Sequence, residues 1–242
     1  FRKAAFAAGV QPIFGVDLRV IDAEETQRTY PLCLLAMNRT GYHNLTLLIS
    51  RAYTEGQHLG VPYVKKAWLE EAADGVIALS AGAAGDVGQA LLGEKEALAF
   101  ERARYWMALY PQRFYLELHR TGREGDETHL HAAVGLAQAL QCPVVATNDV
   151  RFLAADEFEA HEARVCIREG RTLDDPRRAR HYTEEQYLRS PEEMVELFAD
   201  IPEALANSVE IARRCNVVLE LGKPYLPDYP VPEGLSVDDF FR

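Results

Sequence analysis

The stretch from Pro143 to Leu153 reads P-V-V-A-T-N-D-V-R-F-L and decides the fold expected for this chain. Its first half is a short, apolar and β-branched run that follows a helix-period segment. Such a run predicts a buried strand of an α/β sheet, because a strand covered by helices needs no polar face. The run ends in polar residues that place Asp149 at the carboxyl end of the strand, where α/β folds bind their ligands. Asp149 is therefore the first candidate site residue.

Arg151 follows Asp149 by two residues and points the same way if the strand continues. A His at this position could hold a metal together with Asp149, whereas a guanidinium is permanently charged and has no lone pair to donate. We therefore expect Arg151 to form an ion pair with a carboxylate of this site. The pattern indicates a ligand site that has lost its metal-binding chemistry.

The composition favours one large core and a protein partner. The chain has 242 residues, 48% of them hydrophobic, and 26 basic against 37 acidic residues give a net charge of -11. This charge repels phosphate backbones at long range, so we expect little direct DNA binding. The best local candidate for a nucleic-acid contact is the basic run from Asp175 to His181, for which a solvated turn is the favoured interpretation.

The sequence contains no apolar run of about 20 residues that could cross a bilayer and no signal-peptide pattern, which predicts a cytoplasmic protein without a membrane partner. The four cysteines are far apart and form no C-x-x-C pair, so each is predicted to be a small buried apolar residue. They are Cys33, Cys142, Cys166 and Cys215.

Strand-like and helix-like runs follow one another along the chain, as in an α/β fold. Strands are predicted at 10–21, 31–37, 76–81, 114–120 and from 143. Helices are predicted at 41–53, 64–73, 94–110, 127–141, 154–169, 191–199 and 201–215. Ser190 and Glu193 form a capping box that starts the helix at 191.

Several polar side chains stand out within these elements. Asp17 lies in an otherwise apolar strand and needs a partner. Glu117 and His119 share one strand face, where they are either ligands or ordinary solvent-facing residues. His129 and His131 lie on a helix, so they point about 200° apart and cannot chelate one ion together.

The small-residue turn from Gly82 to Gly88 could cradle an anion with its backbone amides. It lacks the Lys of a phosphate loop and the G-x-G-x-x-G spacing, so tight packing at a strand end is the favoured role. The first nine residues look like the last turns of a helix closed by Gly9, which predicts a piece of a longer protein. The final residues, rich in proline, predict an extended linker to a following domain.

Five motifs give the chain a specific resemblance to a known family. They are G-V-Q-P-I-F-G-V-D-L at 9–18, T-G-Y-H-N-L-T-L-L-I-S-R-A-Y at 40–53, L-S-A-G-A-A-G-D-V-G at 79–88, P-V-V-A-T-N-D-V-R-F-L at 143–153 and F-A-D-I-P-E-A-L-A-N-S-V-E-I-A-R-R-C-N-V at 198–217. Together they resemble the PHP (polymerase and histidinol phosphatase) domains of bacterial DNA polymerase III alpha subunits.

The resemblance implies an α/β fold, a distorted seven-stranded (βα) barrel of PHP type, here lacking its first strands and with a helical carboxyl-terminal extension. Residues 1–220 would form the barrel domain and 221–242 a linker into the polymerase core. Family members that keep the site hold up to three metals at the strand ends and cleave phosphoesters.

Carried over position by position, the resemblance implies a degenerate site. Asp17 occupies the place of a ligand Glu, Pro31 replaces a ligand His, and Gly82 stands where a ligand Cys would follow the third strand. Asp149 is kept, and Arg151 stands in for a His. We therefore expect no metal, no cofactor and no catalytic residue in this segment, because lost ligands remove most of a multinuclear site's affinity.

The resemblance further implies that the parent protein is a DNA-directed DNA polymerase, a nucleotidyltransferase of DNA replication. This segment would act as a structural scaffold for the polymerase core in cis and as the docking site of the proofreading exonuclease subunit. The alternative is a residual metal-dependent phosphatase or 3′ to 5′ exonuclease that uses Asp17 and Asp149 with Mn, Zn or Mg.

Overall fold

The computed structural model describes residues 1–21, 28–224 and 230–241. The strands are β1 (Gly15–Ile21), β2 (Thr29–Ala36), β3 (Gln57–His58), β4 (Val61–Pro62), β5 (Val64–Lys65), β6 (Val76–Leu79), β7 (Phe114–His119) and β8 (Val144–Thr147). The helices are α1 (Arg2–Ala7), α2 (Arg39–Thr54), α3 (Lys66–Glu71), α4 (Asp86–Leu92), α5 (Glu96–Leu109), α6 (Asp126–Leu140), α7 (Phe158–Glu169), α8 (Pro191–Leu197), α9 (Pro202–Arg214) and α10 (Val237–Phe241).

Six of these strands form one mixed sheet in the order β5-β1-β2-β6-β7-β8, while β3 and β4 form a separate small hairpin. Strand β2 is antiparallel to both of its neighbours, and β6, β7 and β8 are parallel to one another. The carboxyl ends of β1, β6, β7 and β8 therefore meet at one edge of the sheet. This α/β architecture, with helices following at the carboxyl end, agrees with the predicted PHP-type (βα) barrel.

The two faces of the sheet have different surroundings. Alternate residues such as Leu32, Ala78 and Leu116 belong to the main hydrophobic core beneath α2, α5 and α6. The opposite face carries a smaller apolar cluster that includes Leu79 and Tyr115 and packs against α9. Cys33 pairs with Leu79 in the sheet and Asp17 pairs with Cys33, so Asp17 lies on this second face. Glu117 and His119 lie on the same face, because they follow Tyr115 at intervals of two residues along β7.

Most predicted elements are confirmed, with shifts of a few residues at their ends. The capping box is present, because Glu193 Oε2 accepts from the backbone N–H of Ser190 at 2.7 Å and Ser190 Oγ accepts from that of Glu193 at 3.2 Å. Strand β1 starts at Gly15 and not at residue 10. Three of the four cysteines are buried and Cys33 is half-buried.

Two helices lie where the sequence predicted a turn and a linker. Helix α4 begins at Asp86, inside the small-residue turn, because Asp86 is buried by α5 and its carboxylate accepts from Trp106 Nε1 at 3.0 Å. Helix α10 lies in the proline-rich end, and Ser236 Oγ accepts from the backbone N–H of Asp239 at 3.1 Å as an N-cap does. Within the described ranges, no helix has the length and apolarity needed to cross a bilayer.

Candidate functional site

The carboxyl ends of β7 and β8 bring together a group of polar side chains, which we call the strand-end cluster. It consists of Glu117, His119, Thr147, Asp149 and Arg151 with Arg123, Asp126, His129 and Gln186 from the adjoining segments. The strands themselves place Glu117 and His119, which are two residues apart and therefore on one face.

Glu117 is the buried centre of one half of this cluster. Its carboxylate accepts from Thr147 Oγ1 at 2.6 Å, and Oε1 lies 3.4 Å from His119 Nε2. Burial alone would raise the pKa of Glu117, but the hydrogen bond and charge of His119, the Thr147 hydroxyl and the backbone N–H of Ala81 outweigh it. The pKa of Glu117 therefore lies below its ordinary value, and the group stays a carboxylate inside the protein.

His129 enters the same region from the first turns of α6. Burial, followed by the nearby charge of His119, lowers the pKa of His129 to about 4, although Asp126 and Glu117 act in the opposite direction. His131, two residues on, is exposed on the other side of the helix. The prediction that these two histidines cannot share an ion is confirmed.

Asp149 is the centre of the other half of the cluster and is held by two arginines. Its Oδ1 lies 2.5 Å from Arg151 Nη2, which is the ion pair expected from the sequence, and its Oδ2 lies 3.0 Å from Arg123 Nη2. Gln186, which is completely buried, donates through Nε2 to Oδ2 and to the Asp149 backbone oxygen at 3.0 Å each. Both carboxylate oxygens are thus occupied by side chains of the protein.

The partners of Asp149 come from loops on either side of the strand. Strand β8 ends at Thr147, and Asp149 has a φ of 43°, so the chain turns before Arg151 reaches back. Neither Arg123 nor Gln186 is predicted as a site residue by the sequence patterns. The only signal for Arg123 was its position in the polar loop after β7, at the same edge of the sheet as Asp149.

Asp17 is exposed on β1 and pairs across the sheet with Cys33. Burial, then the charges of Glu117 and Asp17 and a hydrogen bond to Asp17, raise the pKa of the Cys33 thiol far above its ordinary range. Asp17 also lines a cleft of about 410 Å³ beside Arg19 and Arg168. Within the described part of the chain, no hydrogen bond or ion pair joins Asp17 to Asp149.

Pro31 and Gly82 are the remaining positions at which the resemblance implies a lost ligand. Pro31 pairs with Arg19 in the sheet, and its ring has no atom that could bind a metal ion. Gly82 begins a 3₁₀ turn with a φ of 55°, and a Cβ placed on it would lie 2.5 Å from Nδ1 of His119. Only a glycine fits there, because the His119 ring fills the space that a side chain would need.

A metal cluster of the kind implied by the family does not fit these residues. Among residues 1–21, 28–224 and 230–241, no three His, Cys, Asp or Glu side chains are arranged so that they could hold a metal ion. Asp149, which the resemblance retains as a ligand, has its oxygens bound to guanidinium groups that take the place of a cation. The cluster can balance charge and connect segments, and no catalytic step through a metal is derived from it.

Comparison with known proteins gives one family and one set of relatives. The PHP domain family matches residues 1–121, which is half of the chain. DNA polymerase III subunit alpha of Pseudomonas aeruginosa is 55% identical over 242 residues, covering 100% of this chain and 21% of the relative. The subunits of Escherichia coli K12 and Haemophilus influenzae are 52% and 46% identical over 99% of this chain, which covers 21% and 20% of them. The chain thus spans about one fifth of the length of these relatives.

Proposed function

The chain belongs to the PHP domain family, and we propose that it is the PHP domain of a bacterial DNA polymerase III alpha subunit. Similarity along the whole chain to three such subunits supports this assignment. The parent protein is then a DNA-directed DNA polymerase of the cytoplasm that acts in DNA replication. In that protein residues 1–220 form the domain, and 221–242 lead into the polymerase core.

Within the parent protein, the role of this domain is that of a metal-free scaffold. The observation that carries this proposal is the position of Arg123 and Arg151 on the two oxygens of Asp149. A pair of guanidinium groups repels a divalent cation and at the same time ties two loops to the end of β8. In this role Asp149 connects segments of the chain and does not bind a metal.

Metal analysis of the purified full-length protein tests this role. We expect no stoichiometric Mn, Zn or Mg, and no change in metal content on Asp149→Asn. The control is Asp175→Asn, which removes an acidic group that also binds two arginines, Arg171 and Arg177, but lies in the polar loop after α7. A metal bound at one or more per chain and lost only on Asp149→Asn would instead support the residual phosphatase or exonuclease that uses Asp17 and Asp149.

The partner of this scaffold is the proofreading exonuclease subunit of the same holoenzyme. The resemblance to the family suggests the partner, and the net charge of -11 suits a protein partner better than DNA. Co-purification of tagged full-length protein with the exonuclease subunit tests the docking. We expect retention by the full-length protein, and loss of retention when residues 1–220 are deleted. Equal retention without these residues would place the docking site elsewhere.

A further inference from the structure

The segment between α7 and α8 crosses the strand-end cluster. It consists of residues 171–189, all of which the structure describes, it contains no helix, and we call it the strap. Asn148, which follows β8, donates through Nδ2 to the backbone oxygens of Glu185 and Tyr187 at 2.9 and 2.7 Å. The strap also contributes Gln186, which donates to Asp149 at 3.0 Å. It therefore covers the half of the cluster that is built around Asp149.

His161 on α7 lies beneath the strap. Its ring centroid is 4.7 Å from that of Tyr182, in the strap, and 5.6 Å from that of Phe152, and the residue is only 9% exposed. Neither ring nitrogen has a hydrogen-bond partner among the described residues. A protonated imidazole carries two N–H donors and a charge, both of which are costly to bury without an acceptor. The enclosure of His161 is thus suited to the neutral ring and not to the charged one.

The charges around His161 also disfavour a proton on its ring. Arg164 lies on the same helix and Arg151 follows β8, and Glu162 is the carboxylate that opposes them. Burial comes first and Arg164 second among the causes that lower the pKa of His161 below its ordinary value. Glu162 is itself bound to Arg178 of the strap, in an ion pair whose two side chains are buried. The strap thus brings a further positive charge to the carboxylate beside His161.

The strap is attached in a way that allows it to open by itself. Among residues 171–189, Gln186 alone is buried, and the others are exposed or half-buried. The attachment consists of separate hydrogen bonds and the ion pair between Arg178 and Glu162. Segments with few buried contacts open locally at a lower free energy than global unfolding requires. Opening of the strap therefore leaves the hydrophobic core intact.

We propose that the strap is a pH-dependent cover of the strand-end cluster, closed while His161 is neutral and opened by protonation of His161. Opening exposes the imidazole to water, where both N–H groups of the charged form are solvated. The open state therefore binds a proton more tightly than the closed state, and a falling pH increases the population of the open state. Opening also removes Gln186 from Asp149, so a proton taken up on α7 changes the exposure of the cluster at the end of β8. This device does not depend on the proposed scaffold role.

Amide hydrogen exchange in the full-length protein tests the proposal. The amides of Arg151 and Leu188 report on the strap, because each donates to a backbone oxygen across the strap boundary, at 2.8 and 3.0 Å. After correction for the intrinsic pH dependence of exchange, we expect their opening constant to rise below about pH 6.5, by up to about tenfold per pH unit. His161→Phe keeps an aromatic ring without a titrating nitrogen and should remove this rise, whereas His181→Asn, at an exposed position of the strap, should retain it. An equal rise in His161→Phe would overturn the proposal.

A second measurement needs no substitution at His161. Hydrogen exchange at the C2 carbon of each imidazole, followed by mass spectrometry of the unsubstituted full-length protein, gives the titration midpoint of each histidine. We expect the midpoint of His161 to lie below the ordinary value of about 6.5, and strap opening to increase as His161 becomes protonated. A midpoint at or above this value would contradict the proposal, as would strap amides whose corrected exchange does not change while His161 titrates.

Discussion

Glu117 and Asp149 lie near the ends of neighbouring strands, yet their partners differ in kind. Glu117 is buried and is surrounded by a hydroxyl, a backbone amide and a histidine. Asp149 has a side chain that is 20% exposed and is held by two arginines, whose charge is permanent. The comparison shows two ways of compensating a carboxylate at the strand ends. Glu117 has hydrogen bonds and a titratable neighbour that act against the effect of burial, whereas Asp149 has fixed positive charges.

The largest effect is expected from removing the buried carboxylate. Glu117→Ala leaves the Thr147 hydroxyl and His119 without their partner in a buried environment, and should lower the free energy of unfolding by about 3–5 kcal/mol. Denaturant unfolding at pH 7 measures this value. Glu101→Ala, an exposed acidic residue of α5, is the control and should stay within about 0.5 kcal/mol of the parent. If Glu117→Ala also changed the free energy of unfolding by no more than about 0.5 kcal/mol, the distinction between Glu117 and Asp149 would be lost.

The next effect is a pH dependence in the Glu117 half of the cluster. The pKa of His129 is about 4 in the folded protein against an ordinary value of 6.5, so the unfolded chain binds more protons between these values. Stability should therefore fall as the pH drops from 6.5 to 4, by at most about 1.4 kcal/mol per pH unit. The contribution of Glu117 starts to be lost only as the pH falls below the ordinary value of 4.5, because the pKa of Glu117 in the folded protein is lower than this.

Unfolding measured between pH 7.5 and 4.5 in matched variants checks the assignment. His129→Asn should flatten this part of the profile, and His131→Asn, which changes the exposed histidine of the same helix, should leave it unchanged. His161 also has a lowered pKa, caused mainly by burial, and adds a background of the same sign to every variant. An unchanged slope in His129→Asn would assign the dependence to His161.

A smaller effect is expected at Asp149. Asp149→Ala should lower the free energy of unfolding by about 1–2 kcal/mol, because it removes one acceptor each of Gln186 and Arg123. Double-mutant cycles with Arg123→Ala and Arg151→Ala should each give a coupling of up to about 1 kcal/mol, since both guanidiniums are partly exposed. No coupling in either cycle would mean that the arginines do not stabilise the carboxylate.

The smallest effect concerns salt. Added salt should weaken the Asp149 couplings by a few tenths of a kcal/mol, because partly exposed charges are screened, while the effect of Glu117→Ala should not change. Repeating both measurements at low and high ionic strength separates the two halves of the cluster by their solvent exposure.

The sequence was informative wherever a contact is local. The pairing of Asp149 with Arg151 follows from a spacing of two residues, and the shared face of Glu117 and His119 follows from strand alternation. Arg123 and Gln186 reach Asp149 from loops on either side of it, and no local pattern encodes such contacts. Helix α4 was missed for a similar reason, because Trp106 of another helix provides the partner of its first residue, Asp86.

The close contact between Gly82 and His119 limits how this domain can change further. A cysteine introduced at position 82 would need both an unfavourable backbone angle and the volume that the imidazole occupies. Position 119 would have to change to a smaller residue before position 82 could change, and that first step alone would remove a partner of Glu117. The identities of positions 82 and 119 are therefore coupled, and a side chain at position 82 requires a compensating change at position 119.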